Sequence, residues 1–324
     1  WLKPVLGPPL GGRPGSAMGN ACASTCQCQD HPDGASPICF VEAQGVLGKF
    51  SALNAGDAAK PTAAENGSRT PRPEHTFSSG MKYTGQWLGD VRDGEGVQVW
   101  PDGARYAGQY VQGRAEGYGR FEQGGDSYEG AWIEDKAHGQ GVYTRADGAV
   151  FQGLWEADQQ HGDGSEQWPD GASYRGQYMR GIKQGTGRFC WPNGSVYEGA
   201  FQDNGIHGEG VYVWGDGRRF EGQWQMNVMH GNGVCTWPDG RCYKGQYCED
   251  RKSGEGLFSW PEGSYYNGQW KDGKQHGIGV WRHKFDGEPR KGKWEDGRRI
   301  RWLDGNDESP QPEQTDRGDV PTTE

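Results

Sequence analysis

The sequence predicts an all-β protein: an elongated, twisted, single-layer antiparallel β-hairpin solenoid flanked by disordered N- and C-terminal tails. Three observations predict it. A Tyr/Phe-x-Gly-x-aromatic motif opens at Tyr83, Tyr106, Tyr128, Phe151, Tyr174, Tyr197, Phe220, Tyr243 and Tyr266, a spacing of 23 residues with one step of 22. Turn tripeptides recur in phase with it, at Pro101-Asp102-Gly103, Pro169-Asp170-Gly171, Pro192-Asn193-Gly194, Pro238-Asp239-Gly240 and Pro261-Glu262-Gly263. The composition has 58 Gly, 15 Trp, 14 Tyr and 10 Phe in 324 residues, with neither a collagen triplet nor a Gly/Ser linker pattern to absorb the glycine.

Within one unit, Phe220, Gly222 and Trp224 alternate with Glu221 and Gln223, which makes a short strand with one aromatic and one polar face. A second strand is expected from about Gly231 to Trp237, with Gly231, Gly233, Cys235 and Trp237 on one face. Proline then sets one dihedral of the turn and glycine accepts positive φ, so one hairpin leads into the next. An isolated hairpin is marginal, and stacking its neighbours is what stabilises it. Two strands per unit at about 4.8 Å advance the array roughly 10 Å per repeat.

The chain divides accordingly. Residues 1–17 read as a translated leader or a disordered segment, and residues 18–80 as a disordered Pro/Gly/Ser/Ala-rich segment. Residues 81–302 hold about nine repeats and a partial unit at Lys291–Trp302, and residues 303–324 form an acidic disordered tail.

These units resemble MORN repeats, whose pattern is approximately Y-x-G-x-W-x-x-G-x-x-H-G-x-G-x-x-x-x-x-D-G. The match recurs over two thirds of the chain. It departs from the pattern at Gly124-Gly125, where one residue is missing, at Phe151 and Phe220, and at the His position, occupied by Asp93, Glu116, Gln184 and Ser253. The resemblance implies meandering hairpins and a role in scaffolding, self-association or attachment near membranes and cytoskeleton. It also names two alternatives: a soluble cytoskeletal or axonemal component like the radial spoke proteins, and an accessory subunit docking a phosphoinositide kinase.

Charge narrows the partner classes. The formal net charge is -10, and residues 81–302 carry 27 basic against 31 acidic side chains. A sequence-independent grip on nucleic acid or anionic lipid needs a basic patch, so neither is expected. No catalytic constellation, cofactor or small-molecule substrate is expected. Gly-x-Gly, as at Gly94/Gly96, Gly139/Gly141 and Gly208/Gly210, is expected to start a strand instead of linking a strand to a helix, as a phosphate cradle would require. His138, His161, His207, His230 and His276 fall one or two repeats apart, and equivalents in adjacent repeats are about 10 Å apart. That is too far for imidazoles of adjacent repeats to share a zinc ion, and no metal is expected.

The expected protein-binding surface is the aromatic face, carried by Trp87, Trp100, Trp132, Trp155, Trp168, Trp191, Trp214, Trp224, Trp237, Trp260 and Trp270. Open sheet edges add homodimerisation to the expected partnerships. Outside the repeats, Met18-Gly19-Asn20-Ala21-Cys22-Ala23-Ser24 approximates the M-G-x-x-x-[ST] acylation motif, with Ser24 one position late. With Met18 as initiator, Gly19 is the myristate acceptor and Cys22, Cys26 and Cys28 are palmitate acceptors. Two acyl chains anchor where one does so only marginally. The expected location is the cytoplasmic face of a membrane, with cytoskeleton or cilium as the alternative.

Overall fold

The computed structural model describes residues 67–304, and Gly19, Cys22, Cys26, Cys28 and the segment after Asp304 lie outside them. The described residues form twenty-one strands, from Thr70–Thr76 to Arg298–Trp302, and each is paired antiparallel with the next one in sequence. No helix interrupts them.

Two kinds of turn alternate because two kinds of residue pair occupy them. Within a repeat the strands are joined by tight two-residue turns in which both residues take positive φ, such as Glu134-Asp135 (49° and 64°) and Met226-Asn227 (47° and 72°). Both central residues being left-handed gives the hairpin turn whose twist matches that of the flanking strands. Asn and Asp tolerate that region better than other side chains. Between repeats the Trp-Pro-Asp-Gly loop closes on itself. Gly240 N–H donates to Trp237 O at 2.9 Å, Trp237 N–H donates to Arg241 O at 3.0 Å, and Asp239 Oδ1 accepts Arg241 N–H at 3.1 Å.

The second strand of each unit is longer than the sequence suggests. In the Phe220 unit it runs Val228–Thr236, beginning three residues before Gly231, and Trp237 belongs to the turn. The Gly-x-Gly pair therefore lies inside the strand, where it builds a bulge. Gly222 pairs with Gly233 and Trp224 with Met229, so the three residues His230, Gly231 and Asn232 oppose Gln223 alone. Gly231 takes φ +62°, and the freed Asn232 N–H donates to Gln223 Oε1 at 2.9 Å. The same glutamine contact recurs from Glu95 to Gln86 and from Ile278 to Gln269. A bulge thus explains glycine, glutamine and their spacing together.

One strand precedes the expected array. Thr70–Thr76 pairs with Lys82–Leu88 in a segment whose proline content reads as disorder. Pro71 and Pro73 are compatible with a strand there because it is the outer edge of the sheet.

Candidate interaction surfaces

Every repeat places an aromatic at its opening position and a second four residues later, on the same face. The second ring packs edge-on against the openers of its own and the preceding repeat. Tyr128 meets Trp132 at 5.1 Å and Trp155 at 5.2 Å between centroids, and Tyr243 meets Tyr247 and Trp270 at 5.2 Å each. Edge-to-face pairs add about 0.5–1.5 kcal/mol each beyond area burial, so the zipper holds the repeats together.

Glycine makes room for it. Gly199, Gly210, Gly222 and Gly233 are opposite one another on successive strands, and the row continues from Gly85 to Gly292. A Cβ on Gly210 would stand 2.3 Å from the Tyr197 hydroxyl oxygen and 2.5 Å from its Cζ. Each opening ring therefore lies directly over a side-chain-free crease. Its hydroxyl is satisfied locally, as where Tyr197 donates to Ala200 O at 2.9 Å and Tyr266 to Gln269 O and His276 O. Burial pushes these phenols up, Tyr83 and Tyr266 to about 12 and Tyr197 further, while Arg92 pulls Tyr83 back down.

The zipper consumes much of the expected binding surface. Trp87, Trp100, Trp132, Trp155, Trp224 and Trp270 are buried within it, so they supply cohesion and not contact area. Trp168, Trp191, Trp214, Trp237 and Trp260 are half-buried at the turns between repeats. Alternation revealed which face is aromatic; whether that face is covered by its own neighbours depends on ring size over glycine.

Polar side chains clamp adjacent repeats. Asn227 Oδ1 accepts Ile206 N–H and Asp250 Oδ1 accepts Met229 N–H, both at 2.7 Å and 21 residues apart. Asp135 does the same for Ala115 and Asp158 for Ala137. At the His position, the substitutes also reach the next turn: Asp93 accepts Gln112 N–H, Glu116 accepts Glu134 N–H and Gln184 accepts Asp203 N–H. Three of the four substitutes for His thus act as acceptors toward the following turn. Among the described residues no three His, Cys, Asp or Glu side chains converge on a metal-sized site.

Three cations enter the aromatic layer at equivalent places. Arg92 lies over Phe77, Tyr83 and Tyr110 and bonds Gln98, while Lys252 lies over Trp237, Tyr243, Phe258 and Trp270. Lys183 lies over Trp168, Tyr174 and Tyr178, and its Nζ is 3.0 Å from Glu166 Oε2. Each cation faces rings that already belong to the stack.

The opposite face is polar and open. Its central part forms a groove of about 1390 Å³ whose charged lining includes Asp163, Arg175, Arg188, Glu198, Glu209 and Glu221. The glycine crease provides part of its lining, so backbone is accessible between the charges. Across six successive strands the charges fall in blocks: Asp163, then Arg175 and Arg188, then Glu198, Glu209 and Glu221.

An open single-layer solenoid of hairpin units, sealed on one face and charged on the other, defines a repeat protein built for extended surface contact. The MORN repeat family matches at residues 83–105, 106–124, 128–150, 151–173, 174–196, 197–218, 220–240, 243–265 and 266–283, and the chain belongs to that family. Curated proteins yield no match. Among solved structures, the TCP10 domain of Danio rerio CPAP in complex with a peptide of Danio rerio STIL is similar at 12% identity and a TM-score of 0.40. That similarity covers 71% of this chain and 97% of that one. The SAS-4 (dCPAP) TCP domain of Drosophila melanogaster in complex with a proline-rich motif of Ana2 (dSTIL) is similar at 15% identity and a TM-score of 0.31, over 59% of this chain and all of that one.

Proposed function

We propose that this MORN-repeat protein is a non-catalytic scaffold that binds other proteins along its polar face. The observation that carries this is the division of labour between faces. The aromatic face is spent on repeat-to-repeat cohesion, and the open groove lined by Asp163, Arg175, Arg188, Glu198, Glu209 and Glu221 is what remains for a partner chain. A groove of mixed charge suits register-specific docking of a polypeptide carrying complementary charges.

The reading extends to a tether. Acyl groups on Gly19 and on Cys22, Cys26 and Cys28 would hold the protein at the cytoplasmic face of a membrane, with the intervening residues as linker. Support for it is the sequence motif, together with the absence of a basic excess in residues 81–302 that would hold lipid by charge.

In-cell cross-linking of the full chain, alongside a Glu198→Lys, Glu209→Lys, Glu221→Lys variant, tests the groove. A partner set lost from the variant supports the scaffold; identical sets sink it. Labelling with a myristate analogue, with Gly19→Ala and a Cys22/Cys26/Cys28 triple-Ala variant as controls, tests the tether separately. An unlabelled, fully soluble wild type would return the protein to the cytoskeletal alternative.

A further inference from the structure

The two ends of the sheet differ. At the first strand, Thr70–Thr76, Pro71 pairs opposite Gln86 and Pro73 lies in a bulge between Arg72 and His75. Proline is accommodated in a sheet where its nitrogen points away from the ladder. Two prolines and a bulge within seven residues make this strand a poor template for another. The last strand, Arg298–Trp302, contains no proline and among the described residues pairs on one side only, with Arg290–Glu295. Its outer side keeps its backbone donors and acceptors.

That open edge is strongly basic. Arg298 and Arg301 are exposed, and Arg301 pairs across the ladder with Lys293, which shares the polar face with Lys291. Arg299 lies over the Trp302 ring at 4.2 Å. Arg290 is neutralised by Asp304 at 2.9 Å, but Lys291, Lys293, Arg298, Arg299 and Arg301 form no ion pair among the described residues. Exposed Ile300, at 48%, gives the edge an apolar contact point.

Pairing two copies of this edge antiparallel about Ile300 would set Arg299 of each copy against Arg301 of the other, and the adjacent register would set Arg298 against Arg301. Like charges directly opposite destabilise a strand pair, and opposite charges support it. The charge that repels a second copy attracts an acidic strand. We propose that the Arg298–Trp302 edge is a docking site for an extended, acidic, proline-free segment of a partner protein, which adds to the sheet as a further antiparallel strand. Main-chain bonds supply the grip, and Arg298, Arg301 and Lys293 select for carboxylates. This rests on the scaffold reading but uses a surface separate from the central groove.

The test uses the full chain and a fluorescent octapeptide alternating Glu and Val, with two controls: a Lys-Val octapeptide and the Glu-Val peptide with proline at a central position. The Glu-Val peptide is expected to bind at least tenfold more tightly than either control, and to slow amide exchange at Ile300 and Arg301 but not at Thr70–Thr76. An Arg298→Glu, Arg299→Glu, Arg301→Glu variant should weaken it by a further tenfold or more, and the proline control reads the edge without altering the protein. Equal binding of the proline peptide would overturn strand addition. Binding that appears only when the chain is ended at Asp304 would replace the partner with the chain's own following segment. A dimer whose Ile300 and Arg301 amides are already protected would replace it with a second copy. Peptide failure with an intact groove-dependent partner set would end this proposal and leave the scaffold standing.

Discussion

Lys183 Nζ lies 3.0 Å from Glu166 Oε2 inside an aromatic layer, with both side chains less than a tenth exposed. Tyr178 donates its hydroxyl to the same carboxylate oxygen at 3.0 Å, and burial, reinforced by that carboxylate, drives the phenol far above its ordinary range. Equivalent positions elsewhere hold Phe189 in place of Glu166 and Ile206 or Met229 in place of Lys183.

Removing one partner should therefore be costly and removing all of them cheap. Lys183→Met leaves a buried carboxylate unpaired and is expected to destabilise the surrounding repeats by about 3–5 kcal/mol. Combining it with Glu166→Phe and Tyr178→Phe should restore stability to wild type or above. Hydrogen exchange at repeats Phe151 to Tyr197 reads this locally, since a long array need not unfold as one unit. A combined variant no better than Lys183→Met would contradict the pairing logic.

The crease predicts a contrast between two glycines. Gly210→Ala drives a methyl into the Tyr197 ring and should cost about 1–3 kcal/mol through overpacking. Gly171→Ala meets nothing within 4 Å but must hold φ +92°, a backbone cost of about 1–2 kcal/mol. Pairing Gly210→Ala with Tyr197→Phe relieves the contact with the hydroxyl alone, whereas nothing done to a ring should help Gly171→Ala. Urea melts of the three variants decide it.

The turn clamps predict a graded pair. Asn227→Ala loses both the left-handed preference at φ 72° and the acceptor for Ile206 N–H, and should cost about 1–3 kcal/mol. Asn227→Gly keeps the backbone freedom and should cost less. Faster amide exchange at Ile206 in both variants is the specific signature; unchanged exchange there would remove the clamp.

Alkaline pH should open the array. Tyr83 and Tyr266 titrate near 12 in the fold against about 10 when unfolded, and Cys235 near 11 because of burial. The native state thus binds these protons more tightly. The Cys235 share is full below about pH 8.5 and the phenol share below about pH 10, and both are lost as pH rises through about 12. Near-UV circular dichroism should fade over that window, and alkylation below it should reach exposed Cys248 well before buried Cys235. A signal unchanged to pH 12 would count against the burial of the phenols.

Much of this architecture was legible in the sequence because each repeat spells its own turns. Tyr243, Gly245 and Tyr247 alternate, and Trp237 to Gly240 punctuates, so strands and order follow from local chemistry. Three things were not legible. The role of Gly231 with Gln223 depends on a bulge that joins residues from two strands, and a period-two template has no place for it. The fate of Trp132 and Trp224 depends on rings of neighbouring repeats reaching over the crease, so a face that reads as exposed closes upon itself. The strand at Thr70–Thr76 was hidden by the prolines that make it an edge.

The row from Gly85 to Gly292 also bears on how one such array is told from another. Along that line the molecule presents only backbone, identical from unit to unit, so the line carries no address. Whatever distinguishes this protein to a partner must be written in the side chains flanking it, such as Glu198, Glu209 and Glu221 beside Arg175 and Arg188. The crease is a blank margin, and the rows on either side are the text.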